Sequence, residues 1–228
     1  MLIGLLMVKA EDDILAETLP LNLRYVDTAY ALTDTWIDDP KVAGQWSDDD
    51  LPSFYPRPTT EGARGFLYEH AVAAHGPDHW FVLLHADEVW QIDPRTVILE
   101  HRDADGFRFL LPFYLPREPW DDSRGVLEQL RWRLEPGWPE FRLFHGGPDV
   151  RFTAEQHFDS APGGLRRVIQ TTHQILHYPF RSPASQQARA AATWDPDNYH
   201  LIRPDGVFDD AMVAHYLESP HYNQIVED

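Results

Sequence analysis

His85, Asp87 and Glu88 follow directly on a short apolar run, Trp80 to Leu84, within the segment WFVLLHADEV. Imidazole is a borderline nitrogen donor and a carboxylate a hard oxygen donor, a combination suited to a divalent cation. An apolar run without alternation reads as a strand buried on both faces, the kind found in parallel sheets. In open α/β sheets ligands bind just outside the carboxyl ends of such strands. Residue type and placement together point to a metal-assisted site at the end of this strand. The plainer alternative is an acidic strand end facing solvent. Glu140 and Arg142, spaced by two, would project from one face of another strand, as an ordinary surface ion pair of little energetic worth or as part of a site.

The flanking segments show how such groups would be held. Leu2 to Val8 reads as a first buried strand, and Asp12 or Asp13 can cap a helix with Ile14, Leu15, Thr18 and Leu19 on one face. Pro20 is expected to kink or end that helix. Thr28 to Thr33 reads as a second strand, followed by Asp34, Asp38 and Asp39. A Pro-rich polar stretch from Pro40 to Thr60 reads as a long loop. Residues 61 to 75 return to helical spacing, with Ala63, Phe66, Leu67, Ala71 and Ala74 on one stripe. Strand, helix, strand, helix, strand in this order argues for a parallel sheet with right-handed crossovers. Further on, Gly106 to Leu115 and Glu140 to Phe144 read as strands. Ser182 before Pro183 starts a helix expected to reach Trp194, and Phe208 to Leu217 reads as one more. The expectation is a single α/β domain over residues 1–228, with a mostly parallel central sheet flanked by helices.

The bulk composition narrows the function classes. With 228 residues, 43% hydrophobic and 13% aromatic, the chain can bury a substantial core. Its 37 acidic and 19 basic residues give a net charge of −18, which repels nucleic-acid phosphates and anionic membranes. Arg151, Arg166, Arg167 and Arg181 cluster late in the sequence, where a local basic pocket could bind a nucleotide. The absence of cysteine excludes disulfides, thiolate nucleophiles and zinc–thiolate sites. The apolar start LIGLLMV has no preceding basic segment, and no run approaches the ~18 residues of a membrane span. A soluble cytoplasmic protein is the expectation.

Several segments resemble family 2-like glycosyltransferases of the nucleotide-diphospho-sugar transferase A-type fold. IGLLMVKAEDDILAETL resembles that family's first strand and helix, and GFLYEHAVAAHGPDHWFVLLHADEVW the helix and strand leading into its metal-binding element, commonly DADE. PEFRLFHGGPDVRF resembles a later Glu-x-Arg-Leu-Phe strand, and ILHYPFRSPASQQARA the segment before a late helix. The four occur in the family's order over about residues 2 to 192. The resemblance implies a Rossmann-like domain with residues 1–100 as the nucleotide-binding half and 101–228 as the acceptor-side half. It implies a manganese or magnesium ion held by Asp87 and His177, and nucleotide contacts from Glu11, Asp34, His85, Arg181 and Ser182. It further implies a uridine or thymidine diphosphate sugar as donor, an unidentified acceptor hydroxyl and an inverting displacement. Glu140, His157 and Asp159 compete for the role of acceptor base.

Departures from the pattern keep other readings open. Ala10 stands where the family has Asn, His85 where it has the first Asp of the metal element, and the continuation after Asp34 differs. Glu11 and Asp34 alone read equally well as capping or solvated loop carboxylates, and His177 as one structural histidine among twelve. Trp120, Trp132 and Trp138 could stack on an acceptor sugar, although packing explains them more simply. The alternative function is a non-catalytic relative that binds a sugar nucleotide or glycan. A third reading takes His85, Asp87 and His177 as the facial triad of a non-haem iron oxygenase, which would require an antiparallel double-sheet barrel.

Overall fold

A computed structural model describes residues 1–8, 11–51, 60–152, 161–185, 207–208 and 210–228. Along the chain these form β1 (Leu2–Val8), α1 (Asp12–Leu23), β2 (Thr28–Thr33), β3 (Val42–Trp46), α2 (Thr60–His75), β4 (Trp80–His85), β5 (Glu88–Trp90), α3 (Pro94–Glu100), β6 (Gly106–Leu115), α4 (Val126–Gln129), β7 (Trp132–His145), β8 (Val168–His177), α5 (Asp210–Leu217) and β9 (Tyr222–Glu227).

The period of two along β1 and β4 builds two cores from one sheet. Leu2, Leu6, Val8, Val82 and Leu84 pack on one face with Leu15 and Leu23 of α1 and Val97 of α3. Ile3, Leu5, Phe81 and Leu83 pack on the other with Ala63, Phe66, Leu67 and Ala71 of α2. Helices therefore flank both faces, as a sheet with unbroken apolar strands requires. Burying one such Leu or Phe contributes about 1.5–3 kcal/mol, so these strands specify their own depth.

The nine strands join one sheet in the order β3-β2-β1-β4-β7-β6-β8-β5, with β9 beside β7. Parallel ladders link β3, β2, β1 and β4, and another links β6 to β8. Following the remaining antiparallel ladders, β5 and β7 run against the other strands. The fold is thus mixed α/β with a mostly, but not wholly, parallel sheet. The antiparallel double-sheet architecture required by the oxygenase reading is not the one observed.

Only Ala86 and Asp87 connect β4 to β5, yet four ladders separate these strands in the sheet. In a flat sheet the four ladders would span about 19 Å, whereas three Cα–Cα steps reach about 11 Å at most. The sheet must therefore curl until its far edge returns to β4. The β4–β7 ladder covers only Trp80–Val82 against Leu143–His145, and beyond it the two strands part.

Several local expectations need correction. The stretch read as a loop contains β3 and a short 3-10 turn at Asp48–Asp50. That edge strand is held by β2 and by Trp46, which stacks on Tyr30 and meets Phe66 edge-on, rather than by its own periodicity. Helix α1 continues through Pro20 to Leu23: the proline forfeits one helical N–H bond, and Leu15 and Leu23, packed in the core on either side of it, hold the helix in place. Its N-cap position is Glu11, without a side-chain cap bond; Asp13 pairs with Arg181 instead. Residues 183–185 are helical as expected, with the Ser182 hydroxyl accepting from the Ser185 N–H; the remainder of that stretch lies outside the described residues. Among the described residues no helix is long and apolar enough to cross a membrane.

Candidate functional site

The carboxyl end of β4 supplies His85, and the two-residue turn to β5 supplies Asp87. β5 then pairs antiparallel with β8, placing Glu88 opposite His177, while the Tyr178 N–H donates to the Asp87 carbonyl at 2.8 Å. This ladder brings His177 Nε2 to 3.3 Å from Asp87 Oδ2. Both side chains are largely buried. His177 Nδ1 is buried with no hydrogen-bond partner among the described residues, an arrangement that costs about 1–3 kcal/mol.

His85, Asp87 and Glu88 have donor atoms within 4.8 Å of one another and could hold a metal ion. The surrounding charges decide how the cluster divides. Glu88 is completely buried and accepts three bonds from Arg142, at 2.6, 2.9 and 3.1 Å. Arg142 Nη2 also donates to Glu140 Oε2 at 2.5 Å. His85 lies between this network and Arg64, with Nδ1 3.4 Å from Glu88 Oε1 and Nε2 3.3 Å from Arg64 Nη2. Burial, then the Arg142 and Arg64 cations, hold His85 well below its ordinary pKa and keep it neutral. Two guanidinium groups thus occupy the His85–Glu88 side, where they oppose a further cation. Asp87 Oδ2 and His177 Nε2, 3.3 Å apart, have the spacing of two donors each about 2.0–2.2 Å from one ion, with the Arg181 guanidinium 3.6 Å from the same Oδ2.

Arg181 closes the site from the segment after β8. It is fully buried and donates through Nε to both oxygens of Asp13 at 3.0 Å, through Nη2 to Ser185 Oγ and through Nη1 to the Tyr178 carbonyl. Its Nη1 also lies 3.6 Å from Asp87 Oδ2 and 3.9 Å from Glu11 Oε1. One guanidinium therefore serves three carboxylates and ties the start of α1 to the β4–β5 turn.

Of the residues singled out in the sequence, Glu11, His85, Asp87, His177, Arg181 and Ser182 come to this carboxyl edge of the sheet. Asp34 is exposed at the end of β2. Glu140 and Arg142 are not a surface pair: their side chains are 7% and 1% exposed, because the curl of the sheet encloses the segment of β7 that has parted from β4. The arginines adjacent in sequence do not form one basic pocket. Arg166 and Arg167 meet Asp105 and Asp103 at the amino end of β8, a strand of ten residues whose other end leads to Arg181. His157 and Asp159 lie outside the described residues.

Asp13, Thr18, Asn22 and Arg64 were not recognised from the sequence as site components. Thr18 and Asn22 left a trace, as polar residues four apart following Ile14 on a buried helix stripe. The Thr18 hydroxyl donates to the Ala86 carbonyl at 2.5 Å. The Asn22 amide donates to the Glu88 carbonyl at 2.6 Å and accepts from the Trp90 N–H at 3.1 Å. It covers the edge of β5 opposite β8 much as a neighbouring strand would.

No protein-family model matches the chain, and no curated protein matches it. Among solved structures, it is similar to the crystal structure of S. aureus TarS 1-349, at 12% identity and a TM-score of 0.40, over 84% of this chain and 65% of that one. The chain therefore spans somewhat less than two thirds of that structure's length.

Proposed function

We propose that the protein is a metal-dependent glycosyltransferase that moves a sugar from a nucleoside diphosphate to an acceptor hydroxyl with inversion, using a uridine or thymidine diphosphate sugar. The observation carrying this reading is the 3.3 Å approach of Asp87 and His177 at the carboxyl edge of the sheet, where the sequence resemblance calls for an ion. Asp87 and His177 would hold manganese or magnesium. A bound divalent cation neutralises charge developing on a departing diphosphate.

The chain's own residues supply the rest of the arrangement. Arg181 locks Asp13 to the 178–185 segment and, with Glu11 and Asp87 nearby, sets the rim of the nucleotide site. Ser182 caps the helix start, accepting from the Ser185 N–H, and the positive end of a helix favours an anion. His85, held neutral, contributes hydrogen bonding without charge, and Asp34, exposed at the end of β2, would meet the base or ribose. Glu140 is the first choice to take the acceptor proton, with His157 and Asp159 as the other candidates. Its Oε2 accepts from Arg142 Nη2 at 2.5 Å, which fixes the orientation of the carboxylate.

The deep burial of Glu140 also supports a second reading, a non-catalytic relative that binds a sugar nucleotide or glycan. A thermal-shift screen of nucleoside diphosphates and their sugars, with and without Mn²⁺, followed by an assay for transfer, separates the two. Metal-dependent nucleotide binding with transfer supports the enzyme; binding without transfer supports the second reading. Absence of nucleotide binding defeats both.

A further inference from the structure

We propose that Thr18 and Asn22 are positioning residues that hold Asp87 in register with His177, an inference that rests on the metal-site reading above. The turn carrying Asp87 is only two residues long and joins strands that lie at separate places in a curled sheet. On the β8 side it is fixed by the Glu88–His177 ladder and by the Tyr178 N–H on the Asp87 carbonyl. On the opposite side, Thr18 takes the carbonyl just before Asp87 and Asn22 the carbonyl just after it. The backbone carbonyls of three consecutive residues, Ala86 to Glu88, thus have identified donors from two elements.

Helix stability does not explain these residue types. Thr18 is fully buried and Asn22 is 2% exposed, on a stripe where alanine or leucine would have higher helix propensity. The Thr18 hydroxyl also approaches the Ile14 carbonyl at 3.2 Å, a bond that slightly destabilises helices. Both polar groups are instead directed at the turn. A site whose donor atoms must sit within about 0.2 Å of their preferred distances needs such fixation, and hydrogen bonds behind metal ligands commonly change affinity 10–100-fold.

The test uses the full chain and Mn²⁺ alone, with free Mn²⁺ followed by its electron paramagnetic resonance signal at a temperature where circular dichroism shows each variant folded. Thr18→Val, which keeps shape but removes the hydroxyl, and Asn22→Leu should each weaken the Mn²⁺ Kd by about 10–100-fold. Thr18→Ser should restore binding near the wild-type value. Asp87→Asn is the reference for a lost site. A purely structural role would lower Tm and leave the Kd unchanged, and that result overturns the proposal while leaving the metal reading intact. If wild type and Asp87→Asn bind Mn²⁺ alike, or wild type binds none, the metal reading fails and the proposal with it. Should Asn22→Leu not fold, the Val and Ser variants of Thr18 decide the matter.

Discussion

Arg142 Nη2 bridges Glu88 and Glu140, lying 2.6 Å from an oxygen of the first and 2.5 Å from an oxygen of the second. The turn next to the candidate ion site and the candidate acceptor base are thereby coupled through one buried cation. Removing one member of a buried charge network is far more damaging than replacing the whole network, because it leaves a desolvated charge behind. Arg142→Met should destabilise the protein by about 3–5 kcal/mol, measured by urea unfolding. Combining it with Glu88→Gln and Glu140→Gln should recover a substantial part of that loss. Full additivity of the three changes would show that the groups are not coupled.

If Asp87 and His177 hold the ion as proposed, Mn²⁺ at 100 times its Kd should stabilise the wild-type protein by about 2.7 kcal/mol. Asp87→Asn and His177→Ala should each abolish most of this gain. Because His177 Nδ1 has no hydrogen-bond partner among the described residues, His177→Ala should affect apo-protein stability less than the Arg142 variant does. Calorimetry with and without the ion measures both effects.

Glu140→Gln preserves size and can still accept a bond from Arg142. It should retain nucleotide binding while transfer falls by about 10²-fold or more. Transfer at the wild-type rate in this variant would reassign the base to His157 or Asp159.

The acid limb of stability is set partly by two carboxylates distant from the site. Burial raises the pKa of Asp105, but the N–H groups of Arg166 and Arg167 and the Arg166 guanidinium outweigh it, leaving the value below the ordinary 3.8. Asp27 is lowered in the same way, burial being outweighed by the Leu2 N–H and by Arg95. With the folded pKa below the unfolded one, the unfolded chain binds more protons through this interval. The contribution is present above the ordinary carboxylate range and is lost as pH falls towards and through the folded pKa. Asp27→Asn and Asp105→Asn should therefore destabilise the protein at pH 7 and have a smaller effect at pH 3, as measured by urea midpoints.

The sequence by itself determined the elements whose burial is written in local pattern. The unbroken apolar runs of β1 and β4 and the helical stripe of α2 fix depth and period without reference to partners. The carboxylates at the end of β4 were legible for the same reason, since a buried strand has to end where polar residues begin. β8 and β9 were missed. VIQTTHQILH and YNQIVE carry little apolar periodicity, and they become strands because β6 and β7 offer edges to pair with. Only the tertiary structure decided that the sheet curls, and this curl buries Glu140 with Arg142 and brings β5 beside β8. It also gave Thr18 and Asn22 their partners and set Asp87 against His177. Those relations depend on which distant backbone edges meet, a choice made by the summed packing of the whole sheet rather than by any one segment.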